Sequence, residues 1–472
     1  MSRRTPSARP ARAAADALAE ARRASASLVV LRDVLEDEAG LAWREALESL
    51  AAEGPDPGRV AAAYGALFSC LAREAELSPG PLVGDAWQHH LLSRLLDVET
   101  PFSLKAERAG FDAAGPALVA QVRADLAALE RCHRATGALL TASARRAAAV
   151  PATSWEQFRP LGRAAESPRL ALMRRFHGSR DWASLAGALA RHAADHGAGP
   201  FARFRAFRWT RANGRGALEG VAAPDPVTLA DLVGYELERE PVIENTRHFV
   251  AGGPGNHVLL YGDRGTGKSS TVKALLNEFG DRGLRVVEVA KEDLVDYREI
   301  VGVLRGRRGR FVLFVDDLSF EEHETQYKAL KAALEGSIDA RPDNVVLYAT
   351  SNRRHVVAER FSDRRRSSAD DDVHPEDAAQ EKLSLADRFG VHAPFLVPDR
   401  ERYLAIVAAL AARYDLPLEG EALRTRALAW SQWHNGLSCR TARQFVDALR
   451  GEAAVGAEER RRRGRPEKTR TS

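Results

Sequence analysis

The sequence predicts an α/β P-loop fold in its C-terminal half, preceded by a mostly α-helical domain and followed by a small helical lid. Short apolar runs at 257–261, 284–289, 311–315, 345–349 and 393–397 alternate with helical patterns. That alternation is the mark of a parallel sheet covered on both faces. The first run leads directly into a glycine-rich segment that ends in Lys268 and Ser269, and the third ends in Asp316 and Asp317.

Along the chain, residues 1–26 are rich in Ala, Arg and Ser and predict a frayed basic arm. Residues 27–200 predict a helical domain. Val60, Ala63, Tyr64, Leu67, Cys70 and Leu71 fall on one helical face, and Leu118, Val122, Leu126 and Leu129 on another. His89, His90 and His133 have no second ligand at metal spacing and read as ordinary helix residues.

Residues 201–224 predict a hairpin that links the two halves. Phe204, Arg205, Phe207, Arg208 and Trp209 alternate aromatic and basic before Asn213-Gly214. Such interleaving can stack bases, but period two before Asn-Gly is also the signal of a structural hairpin, the favoured reading. The α/β core is expected at 225–398. Helices at 403–414, 422–433 and 438–449 predict a lid over 399–452, and 453–472 a disordered basic tail.

Composition limits the function classes. Of 472 residues, 45% are hydrophobic and 28% charged, as in soluble globular proteins. No apolar run is long enough for a membrane helix, and the N-terminus lacks the apolar stretch of a signal peptide, so a cytoplasmic protein without membrane insertion is expected. Cys70, Cys132 and Cys439 are far apart and match no metal or disulfide spacing. The tail from Arg460 carries seven cations against Glu467. Subtracting that +6 from the net +4 leaves −2 for the rest, so the body is no bulk nucleic-acid binder. The tail itself reads as a solvated end, with contact to nucleic acid or an acidic partner the alternative.

The chemistry is concentrated in three segments. Gly262, Asp263, Arg264, Gly265, Thr266, Gly267, Lys268 and Ser269 fit G-x-x-x-x-G-K-[ST] between a strand and a helix, the context a P-loop needs. Glycines let backbone N–H groups turn inward around a phosphate, and the helix N-terminus through Ser270 adds partial positive charge. Lys268 would reach the β- and γ-phosphates of ATP, and Ser269 would ligate Mg²⁺. Asp316, at the end of an apolar strand, would hold the same ion, and Asp317 would orient the attacking water. Asn352 ends a further apolar strand and would hydrogen-bond that water, with a local cap the alternative.

The ordered set of P-loop, Asp316-Asp317, Asn352 and the segment Leu385, Asp387, Arg388, Phe389, Gly390 resembles the AAA+ superfamily. More narrowly, Val233-Gly234-Tyr235-Glu236, the P-loop segment from Leu260, the run from Phe314 to the acids near Glu321 and Glu322, Ala349 to His355, and Arg440 to Leu449 resemble a bacterial ATP-binding family of unknown function, family eight-one-five. The resemblance covers about residues 225–450. It implies a five-stranded parallel sheet ordered 5-1-4-3-2 with a lid, and assembly into homo-oligomeric rings or filaments with ATP between subunits. It implies an arginine finger at Arg388, for which a surface ion pair is the alternative, and a nucleotide-sensing arginine at Arg443, with Arg440 as the fallback. Most members carry Glu where Asp317 stands, and Glu321 or Glu322 could substitute. The expectation is therefore a slow Mg-ATPase that remodels or loads a protein or nucleic-acid complex, the alternative being an ATP-gated assembly module with little turnover. The mixed-charge stretch 362–380, with Asp370 and His374, reads as a solvated loop.

Overall fold

The structure, a computed structural model, describes residues 8–52, 54–148, 152–162, 166–212, 214–318, 342–352, 388–434 and 436–463. Glu321, Glu322, Asp387 and the stretch 362–380 lie outside them. The chain divides into two compact units, Met1–Arg203 and Phe204–Ser472.

The first unit is built of helices: α1 (Ala8–Ala26), α2 (Glu38–Ala51), α3 (Pro57–Glu76), α4 (Ala86–Asp97), α5 (Pro101–Ala109), α6 (Pro116–Arg134), α7 (Gly137–Ala148), α8 (Pro168–Gly178) and α9 (Ala186–His196). Their starts follow from capping chemistry. The side chains of Asp37, Asp56, Asp85, Thr100 and Ser167 each accept from a backbone N–H of the first turn, and Pro57, Pro101 and Pro168 open helices where no donor is needed. The expected frayed arm is corrected from residue 8 onward. Alanine is the strongest helix former, and Leu18, Ala21 and Ala24 make a narrow buried stripe among the arginines. The core centres on Trp43 and Trp87, both fully buried and stacked with ring centroids 4.3 Å apart.

The second unit contains β1 (Ala206–Ala212), β2 (Arg215–Gly220), α10 (Glu236–Val250), β3 (Val258–Gly262), α11 (Lys268–Phe279), β4 (Leu284–Glu288), α12 (Tyr297–Leu304), β5 (Arg310–Val315), β6 (Val345–Ser351), β7 (Val391–Phe395), α13 (Arg400–Arg413), α14 (Gly420–Trp433) and α15 (Cys439–Arg463). The sheet order is β2-β1-β4-β5-β6-β3-β7. The run β7-β3-β6-β5-β4 is parallel throughout and has the 5-1-4-3-2 order.

The expected five-stranded parallel sheet is nevertheless wrong in extent: this sheet has seven strands and is mixed. The hairpin read as a link between domains is its edge. Ala206–Arg208 of β1 pair in parallel with Val286–Glu288 of β4, and β2 closes antiparallel on β1. Phe207 and Trp209 are buried and on one face. Arg205, Arg208 and Arg211 pair with Asp281, Glu288 and Asp296. Rings and guanidinium groups are thus consumed within the unit, which favours the structural over the base-stacking reading.

The lid helices α13 to α15 bury Tyr403, Leu404, Ile406, Val407, Phe445 and Val446 in one core with the sheet. A disordered tail from 453 is corrected as well, since α15 continues to Arg463 through residues rich in Ala, Glu and Arg, all good helix formers. Among the described residues no helix is long and apolar enough to cross a membrane.

Candidate active site

β3 delivers the chain to Gly262 at the carboxyl edge of the sheet. This glycine has φ +126°, and a Cβ there would lie 2.2 Å from the Phe395 carbonyl oxygen, so no other residue fits. The loop beyond it is pinned to the exit of β7: Asp263 N donates to Phe395 O at 2.9 Å, and Val397 N donates to Asp263 Oδ2 at 2.9 Å. Gly267, with φ +97°, caps α11 without any side-chain acceptor. The first N–H groups of α11 therefore remain available to an anion, at the positive end of the helix dipole.

Lys268 opens α11 and is buried. Its Nζ donates to Gly262 O at 3.0 Å, to Asp263 O at 2.6 Å and to Asn352 Oδ1 at 3.0 Å. Burial lowers its pKa to about 8, although Asp263, Asp316 and Asp317 pull it upward; Arg264 adds to the lowering. This ammonium is held among neutral oxygens with carboxylates close by, and phosphate oxygens would complete it.

Asp316 and Asp317 follow the end of β5. Asp316 Oδ1 accepts from Ser269 Oγ at 2.6 Å and from Thr350 Oγ1 at 2.5 Å. Asp317 lies in the left-handed region at φ +53°, which is uncommon without glycine. Its amide donates to Thr350 Oγ1 at 2.9 Å, and its Oδ1 accepts from Asn352 Nδ2 at 2.5 Å. Ser269 and Asp316 offer hard oxygen donors side by side at the cleft, the donor type Mg²⁺ takes with one or two carboxylates and several waters. The residues fit that ion.

These groups line a cleft of about 730 Å³, within the ~300–1,000 Å³ range of small-molecule sites. Arg264, Gly265, Thr266, Gly267, Lys268, Ser269, Ser270, Asp316, Asp317, Asn352 and Arg443 all line it; so does Arg440. Arg440 N donates to Gly265 O at 2.9 Å, which seats the start of α15 on the loop. Arg443 is tied to Asp447 at 3.3 Å and lies over the Tyr414 ring. Gly262 and Asp263 stand behind the lining.

Arg388 is not brought to the cleft. It precedes β7, whose Val391 pairs with Val258 at the start of β3, so it lies at the amino edge of the sheet. Four residue steps of strand, about 13 Å, separate the level of Val391 from that of Phe395 beside Gly262.

Sequence reasoning missed Thr350 and the apolar end of the cleft. Thr350 sits two residues before Asn352, which puts both on one side of an extended segment, and that periodicity was the available signal. Val227, Leu232, Val233, Ile406 and Leu410 form the apolar end. Ile406 and Leu410 are i, i+4 on α13, but the other three come from a loop distant in sequence. Arg239, also in the lining, donates to the carbonyls of Gly234 and Leu232 and so fixes that loop.

No curated protein matches the chain. Among solved structures it is similar to the Holliday junction branch migration motor RuvB of Thermotoga maritima, at 19% identity and TM-score 0.32, covering 49% of this chain and 67% of that one. A single-residue variant of the same motor gives 19% identity and TM-score 0.33 over the same shares. Likeness of that degree says nothing about this chain's activity. The family described as Protein of unknown function (DUF815) matches residues 202–453, more than half of the sequence. With its P-loop, strand order and helical lid, the chain belongs to that family and is of the AAA+ type.

Proposed function

We propose that the second unit binds Mg-ATP and hydrolyses it slowly at the β–γ bond. The observation that carries this is the convergence of Lys268, Ser269, Asp316, Asp317 and Asn352 on one cleft beside an uncapped helix N-terminus. The base docks at the apolar end against Val233 and Ile406, and the phosphates lie along 264–270. Lys268 turns from the Gly262 and Asp263 carbonyls to the β- and γ-oxygens. Ser269 and Asp316 would hold Mg²⁺, which would supply neutralisation of the phosphate charge. Asp317 orients the attacking water and takes up its proton, and Asn352 fixes both the water and the carboxylate. Aspartate is one methylene shorter than the usual glutamate, which accounts for slow turnover and keeps an ATP-gated assembly module as the second reading.

Arg388 acts in trans in this reading. At the amino edge of its own sheet it cannot reach its own phosphates, so a second copy must present it, through a contact that repeats into a ring or filament. Arg443, with Arg440 as the alternative, reports nucleotide occupancy to the lid. The work coupled to hydrolysis is remodelling or loading of a protein or nucleic-acid complex. Mg²⁺-dependent phosphate release from ATP by the full chain tests the reading. A purified chain that binds no ATP with or without Mg²⁺ would overturn it.

A further inference from the structure

Thr350 stands between the two acids and touches both. Its side chain is almost wholly buried at the end of β6. Oγ1 donates its one proton to Asp316 Oδ1 at 2.5 Å and accepts the Asp317 amide at 2.9 Å. The Thr350 carbonyl accepts Leu318 N at 2.7 Å, so the backbone on the far side of Asp317 is held as well. Thr350 is itself placed by β3, where Leu260 is its register partner.

Two consequences follow from these bonds. A hydroxyl can donate once and accept as well, so the single Thr350 Oγ1 bonds both acids at the same time, giving its hydrogen to Asp316 and receiving that of the Asp317 amide. The amide bond also holds Asp317 in its left-handed conformation, a strained state that persists only when its surroundings over-determine it. Released from that bond, Asp317 would relax toward ordinary φ and its carboxylate would swing away from Asn352.

We infer that Thr350 is a positioning residue for ATP hydrolysis, keeping the metal-holding carboxylate of Asp316 and the water-orienting carboxylate of Asp317 in mutual register. The inference rests on the Mg-ATPase reading and adds a residue to it. Thr350 acts through the two acids it bonds.

The experiment compares Thr350→Val and Thr350→Ser in the full chain. Valine keeps the shape and loses the hydroxyl, while serine keeps the hydroxyl and loses a methyl group. Affinity for a fluorescent ATP analogue in EDTA, the Mg²⁺ concentration for half activation, and kcat are measured for each. Thr350→Val should bind the analogue in EDTA as the wild type does, need more Mg²⁺, and lose kcat on the order of tenfold or more, a fraction of what a positioned base contributes. Thr350→Ser should stay near wild type in all three. Wild-type kcat in Thr350→Val, or an equal fall in both variants, would overturn the inference and make Thr350 a packing residue. If Thr350→Val does not fold, Thr350→Ala against Thr350→Ser repeats the comparison, since that pair differs by the hydroxyl alone. Absence of Mg²⁺-dependent hydrolysis in the wild type would overturn the ATPase reading and this inference together; an active wild type with either of the two overturning variant results overturns only the inference.

Discussion

The first unit closes His90, Asp125 and Glu130 on partners of its own, whereas the second turns Lys268, Asp316 and Asp317 toward a cleft. His90 sits between Glu74 at 2.5 Å and Asp37 at 3.2 Å. Asp125 accepts the amides of Val30 and Leu31 and the Gln121 side chain. Glu130 accepts the Trp182 amide. In the second unit, Lys268, Asp316 and Asp317 also have partners, but all three line the cleft. A buried charge costs desolvation unless it is paired. Pairing that is complete builds structure, while pairing that a ligand could replace marks a site. Histidines, acids and arginines are common in both units, so the contrast lies in where they face.

The largest expected effect breaks the comparison at the level of assembly. Arg388→Ala should cut turnover by about a thousandfold or more, the range seen for arginine fingers, with ATP affinity little changed. Mixed with Lys268→Ala, which keeps Arg388, it should recover part of the wild-type rate. Activity independent of protein concentration, with no rescue on mixing, would make Arg388 a surface residue.

Next in size is Asp317→Asn. It should retain ATP and lower turnover about a hundredfold, as for a lost general base. Wild-type turnover in that variant would move the role to Glu321 or Glu322.

The smallest effect is read by pH and sharpens the comparison in both units. Burial pulls His90 down, but the bonds and charges of Asp37 and Glu74 outweigh it and hold the pKa at about 9. A raised folded pKa means stabilisation present in full below the unfolded value near 6.5 and lost as pH climbs through 9. The whole effect is about 3 kcal/mol in the unfolding of the first unit. Lys268 is lowered to about 8 in the free cleft, and phosphates would raise it, so ATP binding takes up a proton above that pH. Affinity should be level below pH 8 and fall up to about tenfold per unit above it. ATP affinity that stays flat to pH 10 would contradict the placement of Lys268 against the phosphates.

Contiguous signals made much of this architecture legible. The P-loop and the acidic end of β5 are each written within a dozen residues, and the alternation of strand and helix is built from short contiguous segments. What escaped depends on partners far along the chain. Nothing local says that Phe207 and Trp209 will be buried by joining β4, or that Thr350 will meet Asp316 and Asp317 past the end of the neighbouring β5. The arm at 8–26 was misread because its buried stripe is made mostly of alanine, which carries little hydrophobic contrast against arginine. The apolar end of the cleft is assembled from α13 and a loop more than 170 residues upstream, so no window of sequence contains it.

The central claim is that the cleft of the second unit is a phosphate site completed by Lys268. Equilibrium binding of ATP to the full-length Lys268→Ala chain, with circular dichroism as the check on folding, tests it most directly. The expected result is a well-folded protein that no longer binds ATP measurably. Tight ATP binding by that same well-folded variant would contradict it.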